Sequence, residues 1–301
     1  MTTFADETKV LDVSEMQEQR ASQPIMSAKS TLLLIGSVLS IVGITLILFL
    51  GYLFWFAGVR SDRAQHDLLN QFTSAQAAIP LSGKLPPIGA PAAILTIPQL
   101  GLKELVLQGA SPAQTAQGPG LVSGTARPGT IGNAVIVGRR ITGGAPFAHL
   151  AQLHRGSRIE IAAGLGLIHY VVTEVGTVMP GKRSPASPVN KAQVTLMTSG
   201  GSFASNDVLY VVARQATAPG SASRPHNKPS ASQLGLAGDS GALPIAIIFG
   251  ILYLGFLAGA AYALKRRRDQ FWTVYLLTLP VILALALCWF QYLYLLLPSS
   301  I

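Results

Sequence analysis

Cysteine is almost absent: Cys288 stands alone, so no disulfide can form within the chain. Charge is scarce too. Only 12% of the 301 residues are charged and half are hydrophobic, a balance that excludes an ordinary soluble shell around a core. No aromatic and basic interleaving of the nucleic-acid kind occurs, so nucleic acid is not an expected partner. A metal or cofactor site is also lacking. The spacing of His149 and His154 does not set two ligands on one helical face, and no acid or thiol completes a set.

What is abundant is uninterrupted apolar sequence. Three runs, residues 31–58, 243–264 and 271–298, each exceed the roughly 18 to 20 residues that a helix needs to cross a ~30 Å hydrocarbon core. No charge falls within Thr31–Ala57, Leu243–Leu264 or Trp272–Leu297. The first run follows a polar tail and is too long for a signal-peptide core, so it reads as a signal anchor. Between the second and third runs lies the loop 265–270, Lys265-Arg266-Arg267-Arg268-Asp269-Gln270, whose positive cluster belongs on the cytoplasmic side. The amino terminus is then cytoplasmic, and Arg60–Gly241 and the carboxyl terminus lie outside. The expectation is a multi-pass plasma-membrane protein, with the bilayer as its first partner.

The outer segment Arg60–Gly241 holds 15 Lys and Arg against 7 Asp and Glu, so it carries nearly all of the chain's +9. Lipid headgroups and anionic cell-wall polymer are the anionic partners on that side. Residues 1–30 read as a mobile cytoplasmic tail, and 59–91 as a membrane-proximal helix followed by a Pro and Gly-rich linker. In the helix, Ser61–Ala78, the residues Leu68, Leu69 and Phe72 make a sparse apolar stripe. Residues 216–242, rich in Ser, Pro, Ala and Gly, form a second linker.

Between the linkers, residues 92–215 read as short strands separated by turn residues: AAILTIP, KELVLQG, NAVIVG, SRIEIAA, IHYVVTEV, QVTLMT and DVLYVVAR. Such spacing predicts a small closed barrel, which leaves no long exposed strand edge. Pro146–Leu153, PFAHLAQL, reads as a helix that starts on a proline. Gly36 with Ser40, and Gly255 with Gly259, lie four apart and present small faces for helix packing, within this chain or against another subunit.

Over about Ile94 to Arg214 the chain resembles the sortases, most of all the class E-like sortases of Gram-positive bacteria. The resemblance rests on the order and spacing of LTIPQLGLKELVLQG, Gly118-Pro119-Gly120, TARPG at Thr125–Gly129, GNAVIVG at Gly132–Gly138, PFAHLAQLHRGSRIEI, and the strands ending TLMTS and VLYVVAR. It implies an all-β, sortase-like closed β-barrel with short helices, here tethered to three transmembrane helices. It also implies a catalytic His after the strand Asn133–Gly138, a nucleophilic Cys after Thr195–Thr198, and an oxyanion-steadying Arg at the start of the last strand. This sequence has Arg139, Ser199 and Val208 at those three positions.

Each departure has a chemical consequence. A serine hydroxyl needs an adjacent base to attack, whereas a cysteine reaches its thiolate near neutral pH. A guanidinium stays protonated and is no base. A valine donates nothing to an oxyanion, a contribution usually worth about 3 to 4 kcal/mol. The expected function is a catalytically inactive sortase-like subunit of a cell-envelope complex, accessory or scaffold, with other membrane-protein subunits as partners. Two alternatives stand beside it: a serine-dependent transpeptidase or peptidase using Ser199, and a non-catalytic module that binds a peptide or anionic cell-wall polymer. Arg139, Arg140, Thr198 and Asp207 are the candidate ligand-holding residues. Arg139 either pairs with Asp207 across the old cleft or points into solvent. The loop Pro180–Asn190 is short and proline-rich, and it corresponds to the region that shapes the sortase peptide groove.

Overall fold

The computed structural model of the protein describes residues 28–76, 86–164, 166–179, 184–201, 207–216, 234–235, 237–266, 271–298 and 300. Residues 1–27 of the expected tail, the centres of both expected linkers and most of the positive loop lie outside the described residues, and residues 28–30 begin a helix.

Helix α1 (Ala28–Gly51) continues through one π-helical turn, Tyr52–Phe56, into α2 (Ala57–Gln76). A separate helix starting near Ser61 is therefore not what forms. No proline interrupts Ala57–Ser61, so nothing removes a backbone donor there, and the charges at Arg60, Asp62 and Arg63 do not break the ladder. Leu68 and Leu69 of α2 pack against Leu105 and Leu107, two fully buried leucines of strand β2 (Leu102–Gln108). The buried Gln65 clips the helix to that strand. Its amide nitrogen donates to Leu105 O at 3.1 Å and Gln117 O at 2.8 Å, and its oxygen accepts from Leu105 N at 2.8 Å.

The barrel comprises β1 (Pro91–Ile97), β2, β3 (Gly120–Leu121), β4 (Gly132–Val137), β5 (Arg158–Ala163), β6 (Gly166–Val178), β7 (Ala192–Ser199) and β8 (Val208–Gln215). It closes in the order β1-β2-β3-β4-β7-β8-β6-β5. The pairs β2–β3 and β4–β7 are parallel and all others antiparallel. In β5 the period of two is plain, with Ile159 and Ile161 inside and Arg158 and Glu160 outside. β4 shows no such alternation because both its faces are covered. Ala134 and Ile136 enter the barrel core beside Leu95, Ile97, Phe147 and Leu196, while Val135 and Val137 join an outer cluster with Met197 and Val208. Each large aliphatic side chain buried in this way contributes roughly 1.5–3 kcal/mol.

Residues of the TARPG motif have a packing role. Gly129, at φ +88°, donates its N–H to the Tyr170 hydroxyl at 2.7 Å inside the barrel, and burial pushes the Tyr170 phenol up to about 12. The expected helix Pro146–Leu153 is not formed as an α-helix. Phe147 is pulled into the core, its N–H bonded to Arg139 O at 3.0 Å, and the segment runs as successive tight turns with only Leu150–Gln152 in a 3₁₀ helix.

After a single-turn helix, α3 (Pro112–Thr115), the last two helices, α4 (Leu243–Arg266) and α5 (Phe271–Leu295), pair through aromatic contacts: Phe249 on Tyr292 and Tyr253 on Trp289, each with centroids 5.4 Å apart. Gly250 permits this approach, since a Cβ there would lie 3.0 Å from Trp289 Nε1. At Gly255 and Gly259 an added Cβ would meet no described atom within 4 Å. Three helical stretches, Gly36–Asn70, Ser240–Leu264 and Val274–Leu295, are long and apolar enough to cross a membrane.

Candidate functional site

The parallel strands β4 and β7 run in register to Val137 opposite Met197. Gly138 N then donates to Met197 O at 3.1 Å, and the Thr198 hydroxyl donates to Gly138 O at 2.8 Å. A side chain at Gly138 is excluded, because a Cβ there would sit 2.6 Å from the Phe147 ring. Beyond this last link the chains separate, and the amides of Arg140 and Ser199 face the opening between them.

Arg139, two residues past the end of β4, is 0% exposed. Its guanidinium donates to Thr142 Oγ1 at 3.1 Å and to Pro112 O at 3.3 Å, and its carbon lies 4.2 Å from the centroid of the Tyr294 ring. Neither a pairing with Asp207 nor a solvent-facing side chain is found: no ion pair joins Arg139 to Asp207 among the described residues. Burial draws the Arg139 pKa down, and a carbonyl, a hydroxyl and an aromatic face supply the negative potential that no carboxylate provides. Arg139 Nε and the Tyr294 hydroxyl have no hydrogen-bond partner among the described residues. Tyr294 reaches this position over Gly143, at φ +60°, where a Cβ would collide with its hydroxyl.

Arg140 turns outward and donates from Nη1 to Ser199 O at 2.8 Å. Ser199 ends β7 and is 3% exposed, and its hydroxyl has no hydrogen-bond partner among the described residues. Val208 faces Ser199 across the β7–β8 ladder and packs into the outer cluster with Val135, Val137 and Met197. Asp207 precedes it, and its carbonyl accepts from Gly200 N at 2.6 Å. Thus Arg139, Arg140, Thr198, Ser199 and Val208 do gather at one end of the barrel, and no imidazole of the described residues joins them. His149 and His154 bond their local neighbours Gln152 and Ser157, and His169 faces Glu160 at 3.6 Å.

The gap between Arg140 and Ser199 is filled from the far end of the chain. Ser300 O accepts from Arg140 N at 3.1 Å and from Ser199 N at 3.3 Å, and it lies 3.3 Å from the Thr198 hydroxyl. That hydroxyl has one proton, which goes to the nearer Gly138 O. The Ser300 hydroxyl in turn donates to Gly235 O at 2.7 Å, and Asp239 N donates to Leu295 O at 2.9 Å. Leaving the Arg140 and Ser199 amides buried without an acceptor would cost about 1–3 kcal/mol each, so one carbonyl satisfies both. Nothing in the sequence around Tyr294 or Ser300 marks them as cleft residues.

Asn133 is a further positioning residue that the sequence does not mark. Its amide nitrogen donates to Pro185 O at 3.0 Å and Ser187 O at 3.1 Å, and its oxygen accepts from Thr195 Oγ1 at 2.7 Å. It therefore ties the described part of the Pro180–Asn190 loop to the barrel. No group of His, Cys, Asp and Glu among the described residues could hold a metal ion.

Residues 95–216 match the family model described as a sortase domain. A Sortase D5 transpeptidase from Clostridium perfringens is 18% identical over 52% of this chain and 99% of its own, with a TM-score of 0.45. Sortase E from Streptomyces avermitilis is 28% identical over 44% of this chain and 93% of its own, at 0.40. Sortase A from Corynebacterium diphtheriae is 21% identical over 52% and 85%, at 0.40. No curated protein matches the chain.

Proposed function

Because residues 95–216 of this membrane-helix protein are a sortase domain, we propose that the chain is a catalytically inactive relative of the sortases. In this reading it is an accessory or scaffold subunit of a cell-envelope membrane complex. The observation that carries the reading is the state of Ser199. Its hydroxyl occupies the position that resemblance assigns to the nucleophile, yet it is buried and has no hydrogen-bond partner among the described residues. A serine needs its proton removed as it attacks, and among the described residues nothing bonds this oxygen to do so. The position matched to the family's base holds Arg139, whose guanidinium is committed to Thr142, Pro112 and Tyr294. The position matched to the oxyanion donor holds Val208, which packs as an aliphatic side chain.

The subunit role draws support from the helices. The open space at Gly255 and Gly259 suits a closely packed partner helix, and the close approach within this chain uses Gly250 instead. The positive loop 265–270 supports a cytoplasmic amino terminus with the barrel and carboxyl terminus outside.

Treating the full chain in nanodiscs with a fluorophosphonate probe, alongside the Ser199→Ala variant, tests the reading. It predicts no labelling that depends on Ser199. Labelling that Ser199→Ala abolishes would replace it with the serine-enzyme reading.

A further inference from the structure

We propose that Arg60 and Arg63, at the start of α2, bind the phosphate of an anionic phospholipid in the leaflet on the barrel side. The site is separate from the cleft, and it does not depend on whether Ser199 can react.

Four observations carry it. Phe54, Trp55 and Phe56 are 55%, 79% and 48% exposed, in a helical stretch long and apolar enough to cross a membrane, and the two arginines follow one turn later. Exposed rings at the end of an apolar run mark the headgroup level of a bilayer. Phe56, Arg60 and Arg63 stand at i, i+4 and i+7, so a ring and two exposed guanidinium groups share one helix face.

Arg60 is also turned back along its helix. Its Nη1 donates to the Tyr52 hydroxyl at 3.5 Å, and the Tyr52 ring stacks on Phe56 with centroids 5.4 Å apart. A charged side chain on a membrane helix ordinarily extends toward water, so one that folds back among aromatic rings is suited to an anion at that depth. The bond to Tyr52 uses one of five donors, and the rest of the fork matches the paired oxygens of a phosphate.

No carboxylate competes for the pair. Neither arginine forms an ion pair with Asp62 or Asp67 among the described residues, and Asp62 is turned to the barrel, with Oδ1 3.7 Å from where a Cβ of Gly144 would lie. The two charges therefore remain uncompensated beside the apolar belt. A zwitterionic headgroup brings its own cation to them, whereas an anionic one does not, which sets the preference.

Photocrosslinking of the full chain in nanodiscs tests this. Phosphatidylglycerol and phosphatidylcholine carrying the same diazirine in the acyl chain are compared at equal, low mole fraction in a phosphatidylcholine bilayer, and the crosslinks are mapped by peptide mass spectrometry. The phosphatidylglycerol probe should label Phe54–Val59 roughly tenfold more than the phosphatidylcholine probe. Arg60→Gln combined with Arg63→Gln should bring the two probes level there, and since both side chains are exposed the fold should survive. Arg60→Lys with Arg63→Lys should keep part of the preference, because a point charge attracts phosphate without the fork. Equal labelling by both probes in the parent, or a preference that survives the double glutamine variant, would overturn the proposal. Glycerol phosphate added to the buffer should leave the preference in place. Its loss would assign the arginines to a soluble phosphate and overturn the lipid assignment.

Discussion

The ring of Tyr294 lies 4.2 Å from the guanidinium carbon of Arg139, and by this contact the last helix closes over the first fully buried cation past β4. No carboxylate among the described residues offsets the lost hydration of this cation, so the aromatic face is a principal compensation.

Removing the ring should therefore be costly and removing only its hydroxyl should not. Tyr294→Ala combines a cavity with a lost cation–π contact, and about 3–5 kcal/mol of stability should go. Tyr294→Phe deletes a buried hydroxyl that has no partner among the described residues, and should leave stability unchanged or slightly higher. Denaturant unfolding of the full chain in detergent separates the two outcomes.

Gly143 depends on the same ring. Its φ of +60° disfavours any side chain by about 1–2 kcal/mol, and a Cβ there would also collide with the Tyr294 hydroxyl. Gly143→Ala should destabilise by more than the backbone penalty alone. Combining it with Tyr294→Phe should recover part of the loss, a coupling that a double-mutant cycle measures.

The clip between α2 and β2 is separately testable. Gln65→Ala leaves the Leu105 amide and two carbonyls without their partner, and should cost about 1–3 kcal/mol. Gln65→Glu keeps an acceptor for Leu105 N but turns a carboxylate toward Leu105 O and Gln117 O. Its loss should be larger at neutral pH and shrink on acidification, readable in the same unfolding assay.

Glu104 should give the domain an unusual pH response. Burial, with a smaller contribution from nearby Asp62, raises its carboxyl from 4.5 to about 7. The folded protein then holds this proton more tightly than the unfolded chain. Its stabilising effect is complete below about pH 4.5 and is lost as pH rises through about 7. Glu104→Gln should flatten that slope, and at pH 8 it should be more stable than the parent. A stability-against-pH profile of both proteins checks the sign.

The barrel was legible because its strands alternate or run apolar for identifiable reasons. Ile159 and Ile161 point inward between outward Arg158 and Glu160, and β4 loses the alternation only because the cluster of Val135, Val137, Met197 and Val208 covers its outer face. β3 has no sequence signature, because two residues, Gly120–Leu121, carry no period. The helix begins before the expected Ser61 because charge at Arg60, Asp62 and Arg63 marks a change of surroundings and does not break a helix. At Pro146–Leu153 the helical signal was overridden by Phe147, which is needed in the core.

The site was half legible. Arg139, Ser199 and Val208 could be placed together by their positions after β4, after the body of β7 and at the start of β8. What compensates Arg139 could not. Sequence offers charge as a sign of pairing, and that pointed to Asp207, whereas the actual partner is an aromatic residue inside a run whose only visible property is apolarity. The Ser300 carbonyl was equally hidden, since every residue has one.

The central claim is that this cleft forms no acyl intermediate. The full chain is incubated with a sorting-signal-like peptide, quenched in acid and weighed by intact-mass spectrometry, in parallel with Ser199→Ala. The unmodified mass alone is predicted for both proteins. A mass increase equal to the acyl fragment, present in the parent and absent from Ser199→Ala, would contradict the account.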